Sequence, residues 1–383
     1  MSKSGYVRWL ILLLVILAVV LLWIGVQGSN WREMALNFGT ELAGATVTYL
    51  LIQQIIERRE ALQAKKEELT AQLGSRVRDV AISAAEELQR HRCLYDGSLR
   101  GAVLQGANLE GAKLEAATLG EAYLEGANLG GANLEGAFLS GANLEEADLS
   151  RACLDGAHLN RARLSWAKLK GACLKMAHLD EAWCSGADFE GADLSRARLR
   201  ESRLYDTALR EAILCEADLE GADLTGANFQ RASLDKAILR RTRLRGTSLD
   251  EASLCGSDLR EADASRHSPW DDQYIAGMRG ANLSGADLSE STFHAVDLRD
   301  ADLTRANLWK ADLERADLSG ARLCEAYLVR ANLRDASLNG ANLSEANLEQ
   351  ADLTGAKIAK EQLSEAKSLK GTILPHDTEG ATS

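Results

Sequence analysis

The chain has 383 residues, 46% hydrophobic, only 5% aromatic and 26% charged, with a formal net charge of -12, 7 cysteines and 2 prolines. So many cysteines without regular pairing in so long a chain exclude a disulfide-stapled mini-domain and favour a reducing compartment. The excess of Asp and Glu sits beyond residue 96 and is mixed with Arg throughout, which argues against direct nucleic-acid binding through a basic surface.

Residues 9–24 are an unbroken apolar run preceded by Lys3 and Arg8, long enough to span a bilayer once its flanks are counted. The run reads as a signal anchor or a signal peptide; cleavage after Gly28 is disfavoured by Gln27 and Trp31 around the site. Residues 1–33 thus form a first transmembrane helix and short loop. Residues 34–56 form a second candidate span, interrupted by Asn37, Glu41, Gln53 and Gln54. The short Gly-Ser-Asn-Trp link and the basic Arg58, Arg59, Lys65 and Lys66 beyond the second span predict a hairpin with both termini in the cytoplasm. Glu41 would then be an intramembrane carboxylate, either functional or a polar contact between hairpin helices or subunits. Gly39 with Ala43, or Gly44 with Thr48, offers a small face for helix association.

Across 57–92, Leu62, Leu69, Leu73, Val77, Val80, Ala84 and Leu88 recur at helical spacing with charges between them. Gly74 and Ser75 divide this stretch into two helices, with Ser75 expected to cap the second. The first helix reads as a stalk or short coiled coil, and oligomers through the linking or transmembrane helices are compatible with it. The second is expected to cover the open end of the region that begins at residue 93, since an exposed sheet edge invites aggregation.

From Leu99 to Leu259 every fifth residue is leucine, interrupted only by Cys184, Phe189 and Phe229, and the residue two places earlier is almost always alanine. The pattern reads Gly106-Ala107-Asn108-Leu109-Glu110 and Glu146-Ala147-Asp148-Leu149-Ser150, and resumes from Ala281-Asn282-Leu283 to Ala351-Asp352-Leu353. A five-residue period matches neither helix nor strand. A chain that turns a corner after each short extended segment places leucine and alanine inside every time, with Asp or Asn suited to the turn.

These A(D/N)LXX units resemble the pentapeptide-repeat family, and the resemblance covers about two-thirds of the chain. It implies an all-β solenoid, a right-handed quadrilateral β-helix with roughly 20 residues per coil, stabilised cooperatively between neighbouring coils. Solenoid is expected over 93–264 and 278–358, with an inserted loop at 265–277 and a C-terminal capping helix and tail at 359–383. Asn37 to Leu42 with Leu50, Leu51, Ile52 and Glu57 to Glu60 resembles the membrane module that bacterial members carry. Lys360 to Leu369 leaves the repeat register and resembles the terminal cap of the family, with a last extended segment running on to Pro375.

Departures from the repeat are where specificity is sought. Leucine changes register between Leu259 and Leu283, and the inserted stretch carries His267, Pro269, Trp270, Asp271, Asp272 and Tyr274. This is a candidate interaction loop or a tolerated bulge. With roughly 20 residues per coil, Arg163, Trp183, Arg203, Asp223 and Arg243 stack into one column, with Arg198, Arg200, Arg240, Arg241 and Arg245 nearby. The column reads as a solvated ladder or as a surface for an acidic protein, phosphate or lipid headgroup. Cys153 with Cys173 and His158 with His178 also stack, but on adjacent sides that diverge, so no metal site is assigned. No cofactor is expected.

No nucleophile elbow, phosphate-binding loop or zinc-protease helix is present, and a convex rod offers no deep pocket, so the chain is not read as an enzyme. The reading is a scaffold anchored in a bacterial inner or equivalent membrane, presenting a rigid cytoplasmic solenoid to an unidentified protein partner. The alternative resembles the DNA-imitating members of the family that bind gyrase and give fluoroquinolone resistance: a binder of a topoisomerase or another nucleic-acid-binding protein.

Overall fold

The computed structural model describes residues 13, 15–20, 23, 32–265 and 276–375. They divide into two compact units, Met1–Glu68 and Leu69–Ser383. In the first, residues 13, 15–20 and 23 are helical, and α1 (Arg32–Leu73) begins there and runs into the second. Three threonines sit within α1 because their hydroxyls donate back along the helix: Thr40 to the Asn37 carbonyl, Thr46 to Leu42 and Thr48 to Gly44, at 2.9, 2.7 and 2.9 Å.

Among the described residues no helix is long and apolar enough to cross a membrane. This corrects the second transmembrane span expected at 34–56. The segment is helical as expected, but Asn37, Glu41, Gln53 and Gln54 dilute its apolar residues. Half of the run at 9–24 lies outside the described residues.

In the second unit the five-residue period becomes a coil with four sides. Parallel bridges join residues 20 apart, from Val103 with Tyr123 to Arg243 with Asp263, at every fifth position. The unit Ala147, Asp148, Leu149, Ser150, Arg151 shows why. Ala147 N–H closes the corner onto the Leu144 carbonyl (3.1 Å), and Asp148 N–H donates to Ala127 in the preceding coil (2.9 Å). Leu149 and Arg151 donate to Lys168 and Lys170 in the next coil (2.7 and 3.0 Å). Ser150 N–H is left over, and Asp148 Oδ1 accepts it at 2.9 Å. Each backbone donor is thus assigned, the last one only because the middle residue is Asp or Asn. The same bond recurs from Asn128 to Gly130, Asn307 to Trp309 and Asp352 to Thr354.

Each corner also needs a residue with positive φ, as the third position of a type II turn does. Glycine often supplies it, as at Gly126 (φ 62°), but Glu146 (φ 57°) and even Trp166 (φ 60°) adopt it too. Inside, leucine and alanine of successive coils form one continuous buried column. Where serine or threonine replaces the alanine the hydroxyl donates to a backbone carbonyl: Ser202 to Leu199 and Thr242 to Leu239 in the same corner, at 2.6 and 2.7 Å, and Thr247 to Leu224 in the preceding coil at 2.9 Å.

Both ends of the column are covered. Helix α2 (Arg78–Arg90) buries Ala81, Ala84, Ala85 and Leu88, while Leu69 and Leu73 at the end of α1 join the same core. Val77 and Val80 point to solvent, so the buried stripe of α2 is shifted from the expected one. Val77, not Ser75, is the N-cap of α2; the Ser75 hydroxyl accepts the Val77 N–H just ahead of the helix at 3.1 Å. The Ser75 and Leu94 carbonyls take the Asn108 and Thr118 N–H groups, which would otherwise face an empty edge. At the other end α3 (Lys360–Ser364) is shorter than expected, and Ser368 and Ile373 rejoin the ladder opposite Asn347 and Asp352. Gln362 of α3 donates from Nε2 to the Leu338 and Ala341 carbonyls at 2.7 and 2.6 Å.

The insertion leaves the ladder intact. Ser248 pairs with Gly277, Ser253 with Asn282, Asp258 with Asp287 and Asp263 with Thr292, after which the 20-residue step returns. The excursion leaves and re-enters between Ser265 and Ala276, at one corner. All proposed residues of the candidate loop, His267, Pro269, Trp270, Asp271, Asp272 and Tyr274, lie outside the described residues.

Truncating the interior and removing the turn acceptor should separate by size. Leu149→Ala should cost about 3 kcal/mol, as a buried large-to-small change that leaves a cavity. Asp148→Ala should cost about 1 kcal/mol for one lost hydrogen bond, and Asp148→Asn almost nothing because the amide oxygen accepts the same N–H. Urea midpoints of the full chain at unchanged slope would read these values, and an Asp148→Asn loss equal to that of Asp148→Ala would refute the turn-acceptor role.

Candidate interaction surface

The four sides of the coil carry columns that begin at Val103, Asn108, Lys113 and Thr118. All four abandon Asp and Asn over some consecutive coils, and two of them for aromatic or basic side chains. The first side does so at Arg163, Trp183 and Arg203, and the fourth at Phe138, His158 and His178. Among the described residues no acceptor bonds the corner N–H groups of Ser165, Ser185 and Tyr205, two positions beyond the first set. At some other corners the loss is repaired by an aspartate one coil away: Asp155 accepts from Lys175, Asp180 from Arg200 and Asp235 from Cys255, at 2.8, 3.1 and 3.0 Å.

The structure brings the predicted column together as a continuous stack, each member bridged to the next. Arg163 Nη2 lies 2.7 Å from Glu145 Oε1. The Arg203 guanidinium sits 4.4 Å from the centre of the Trp183 ring, a cation–π contact, and makes no ion pair among the described residues. Arg243 Nη1 donates to Asp223 Oδ2 at 2.9 Å. Asp223 is 7% exposed and also accepts the Thr225 hydroxyl and N–H at 2.7 and 3.2 Å. Burial works to raise the Asp223 carboxyl, but the Thr225 hydroxyl, the Arg243 guanidinium and the Thr225 N–H outweigh it and hold it below the ordinary carboxylate range. Burial and the neighbouring Asp223 push the Tyr205 phenol up. Trp183 stays 43% exposed, in a groove of about 720 Å³ lined by Arg161, Arg163, Glu181, Glu201 and Arg203.

The surrounding arginines are mostly neutralised. Arg198 pairs with Asp180, Arg200 with Asp218, Arg240 with Asp258 and Arg241 with Glu220, at 2.8, 2.5, 2.5 and 2.8 Å. The basic patch expected from their clustering is therefore a set of ion-pair rungs. Most join a corner to the face or corner one coil away, a geometry set by the 18- and 20-residue separations of the coil. Glu41 is exposed on α1 in the first unit.

Cys153 stacks on Cys173 along the third side and His158 on His178 along the fourth. Phe138 stacks flat on His158, ring centres 4.8 Å apart, and His178 lies next at 4.8 Å with its ring tilted 47°. Burial first, then His158 and Arg198, lowers the His178 pKa. Sequence reasoning missed Trp166, which is 65% exposed at a corner and whose indole covers Gly186, where any Cβ would come within 2.5 Å of the ring. Its signal was present: tryptophan stands where the repeat calls for glycine or a short polar residue.

A carboxyl whose folded pKa is depressed contributes stability above its unfolded value, and that contribution disappears as pH falls through the folded value. Asp223, Asp193, Asp297 and Asp352 are all depressed. Stability should therefore fall on acidification below about pH 4. Asp223→Asn should flatten that acid limb in thermal melts recorded from pH 6 to pH 3, whereas a limb identical to wild type would remove Asp223 from it.

The family described as pentapeptide repeats (8 copies) matches residues 93–120, then overlapping stretches from 122 to 267 and from 278 to 355. HetL, a pentapeptide repeat protein involved in heterocyst differentiation regulation from the cyanobacterium Nostoc sp. strain PCC 7120, is 31% identical. That alignment covers 76% of this chain and 97% of HetL, with a TM-score of 0.39. Rfr23 from the cyanobacterium Cyanothece 51142 is 28% identical over 33% of this chain and 88% of its own, with a TM-score of 0.16. QnrB1, a plasmid-mediated fluoroquinolone resistance protein, is 19% identical over 50% of this chain and 92% of its own, with a TM-score of 0.33. Comparison with curated proteins gave no match. The matched repeats cover more than half of the chain and coincide with the coils described above, and the chain belongs to the pentapeptide-repeat family.

Proposed function

We propose that this chain is a membrane-tethered scaffold that holds a protein partner on the first side of its β-helix, around Trp183 and Arg203. The observation that carries this reading is the column itself. Large aromatic and guanidinium groups stand exposed in one stacked column, at positions where the repeat elsewhere carries its Asp or Asn turn acceptor. A rigid platform carrying tryptophan and arginine is the composition of an interface hot spot, where ordering costs are met in advance. Trp166 adds a second anchor at a neighbouring corner.

The tether rests on apolar surface in the first unit. Leu13, Ile16, Val19 and Trp23 are exposed, as are Val47, Leu51, Ile52, Ile55 and Ile56 of α1, far more than a water-facing surface tolerates without cover. Lipid contact at the 9–24 run would cover the first of these two sets. A cytoplasmic solenoid fits Cys153, Cys173, Cys184, Cys215, Cys255 and Cys324, which form no disulfide among the described residues. The arginine column and the paired carboxylates give no observation favouring imitation of DNA.

Crosslinking capture from membranes should recover the same partner with wild type and lose it at least about tenfold with Trp183→Ala, as for a central hot spot. Deletion of residues 265–275 tests the loop separately. Capture undiminished by Trp183→Ala would end the column reading, and stoichiometric inhibition of DNA supercoiling by the chain would install the topoisomerase alternative. Reporter fusions at the C-terminus should read cytoplasmic; an external signal would overturn the sidedness.

A further inference from the structure

We propose that His294, Asp312 and Glu314 form a binding site for a divalent transition-metal ion of the zinc type. Thr292, Asp312 and Asn332 stack on the first side of the coil, and His294 and Glu314 occupy the adjoining corner two residues beyond Thr292 and Asp312. An imidazole nitrogen and one oxygen of each carboxylate lie within 4.8 Å of one another, all half-buried.

The repeat geometry explains how the three meet, and the local bonding explains why they are not just another rung. Positions 18 and 20 residues apart elsewhere hold opposite charges in direct contact, as Glu145 with Arg163 and Arg161 with Glu181 do. At His294 no such contact forms: among the described residues the imidazole has no hydrogen bond and no ion pair. Asp312 turns Oδ1 to the Glu314 N–H (3.1 Å) and to Asn332 Nδ2 (2.9 Å). Its Oδ2 has no donor among the described residues. Asn332 Nδ2 also reaches Glu314 Oε2 at 3.4 Å, and Arg315 Nε stands 3.9 Å from Glu314 Oε1. Both carboxylates are thus held by neighbouring donors, as ligating carboxylates are, and Asp312 keeps one oxygen without a donor among the described residues.

One neutral imidazole and two carboxylates balance a doubly charged ion, and a nitrogen donor selects zinc-like metals over calcium or magnesium. Side-chain rotation of half-buried groups brings donors spread over 4.8 Å onto an ion bound at about 2.1 Å. Three protein ligands leave a position for water or for a group from another molecule. The ion would join two successive coils just after the insertion, because Asp263 bridges Thr292 and Ser265 underlies the same corner.

Calorimetric titration of the purified full chain with Zn²⁺ should show a single site. His294→Ala and Glu314→Gln should each weaken it at least about tenfold, with His178→Ala unchanged as the control for the other stacked histidines. Co²⁺ should give ligand-field absorption without a thiolate charge-transfer band. Circular dichroism establishes that each variant keeps its β-helix; if His294→Ala does not, Glu314→Gln decides. Equal affinity in the decisive variant and wild type, or no binding by folded wild type at millimolar Zn²⁺, overturns the proposal. So does a thiolate band that survives His294→Ala, because it moves the metal to Cys153 and Cys173.

Discussion

Everything in the second unit depends on one requirement, that a chain turning every five residues must place each of its backbone N–H groups. Three donate to neighbouring coils, one closes the corner, and one takes a side-chain acceptor where Asp or Asn stands in the unit. Leucine and alanine fill the interior, but they do not set the period. The backbone bonds between coils do, since the 20-residue step continues through Arg163, Trp183 and Arg203, where the acceptor is missing; Asp or Asn locks the corners that carry it. The same closure explains the ends: Ser75 and Leu94 offer carbonyls to the first coil, and Gln362 offers amide donors to the last.

The repeat, its interior and the stacking of residues 20 apart were legible because they depend on position alone, and burial of Ala147 and Leu149 is a consequence of their place in the unit. The helical ends were legible only in outline. Leucine and valine spacing pointed to Val77 and Val80 as buried, whereas alanines 81, 84 and 85 pack closely on the first coil and the valines face out. Side-chain volume at a helix–coil contact decides that choice, and hydrophobic periodicity is blind to it. For the 34–56 segment, spacing and flanking charges suggested a span, but the polar residues within it decide against one.

The candidate surface divides along the same line. The arginine and tryptophan column could be read from numbering, since stacking is a property of the coil. Pairing could not: Arg198, Arg200, Arg240 and Arg241 looked like a basic patch and are ion-pair rungs, because their partners stand 18 to 21 residues away in sequence. His294, Asp312 and Glu314 share that separation and were missed for the same reason. Trp166 was missed because a tryptophan at positive φ contradicts the residue preference of the turn.

Exposed ion pairs contribute little to stability, so the rungs matter more for what they remove than for what they add. They neutralise many of the guanidinium groups, and those left without a carboxylate are held by other contacts or stand in solvent. Arg203 is one of these, stacked on Trp183 and without a carboxylate among the described residues. Asp223 beside it is buried and accepts two bonds from Thr225 and one from Arg243, so the lower part of the column is rigid. A partner carboxylate approaching Arg203 would meet a guanidinium already held flat over an indole, with little entropy left to lose. On the proposed reading, that stacked guanidinium is what would let a partner tell this coil from the next on a repetitive surface.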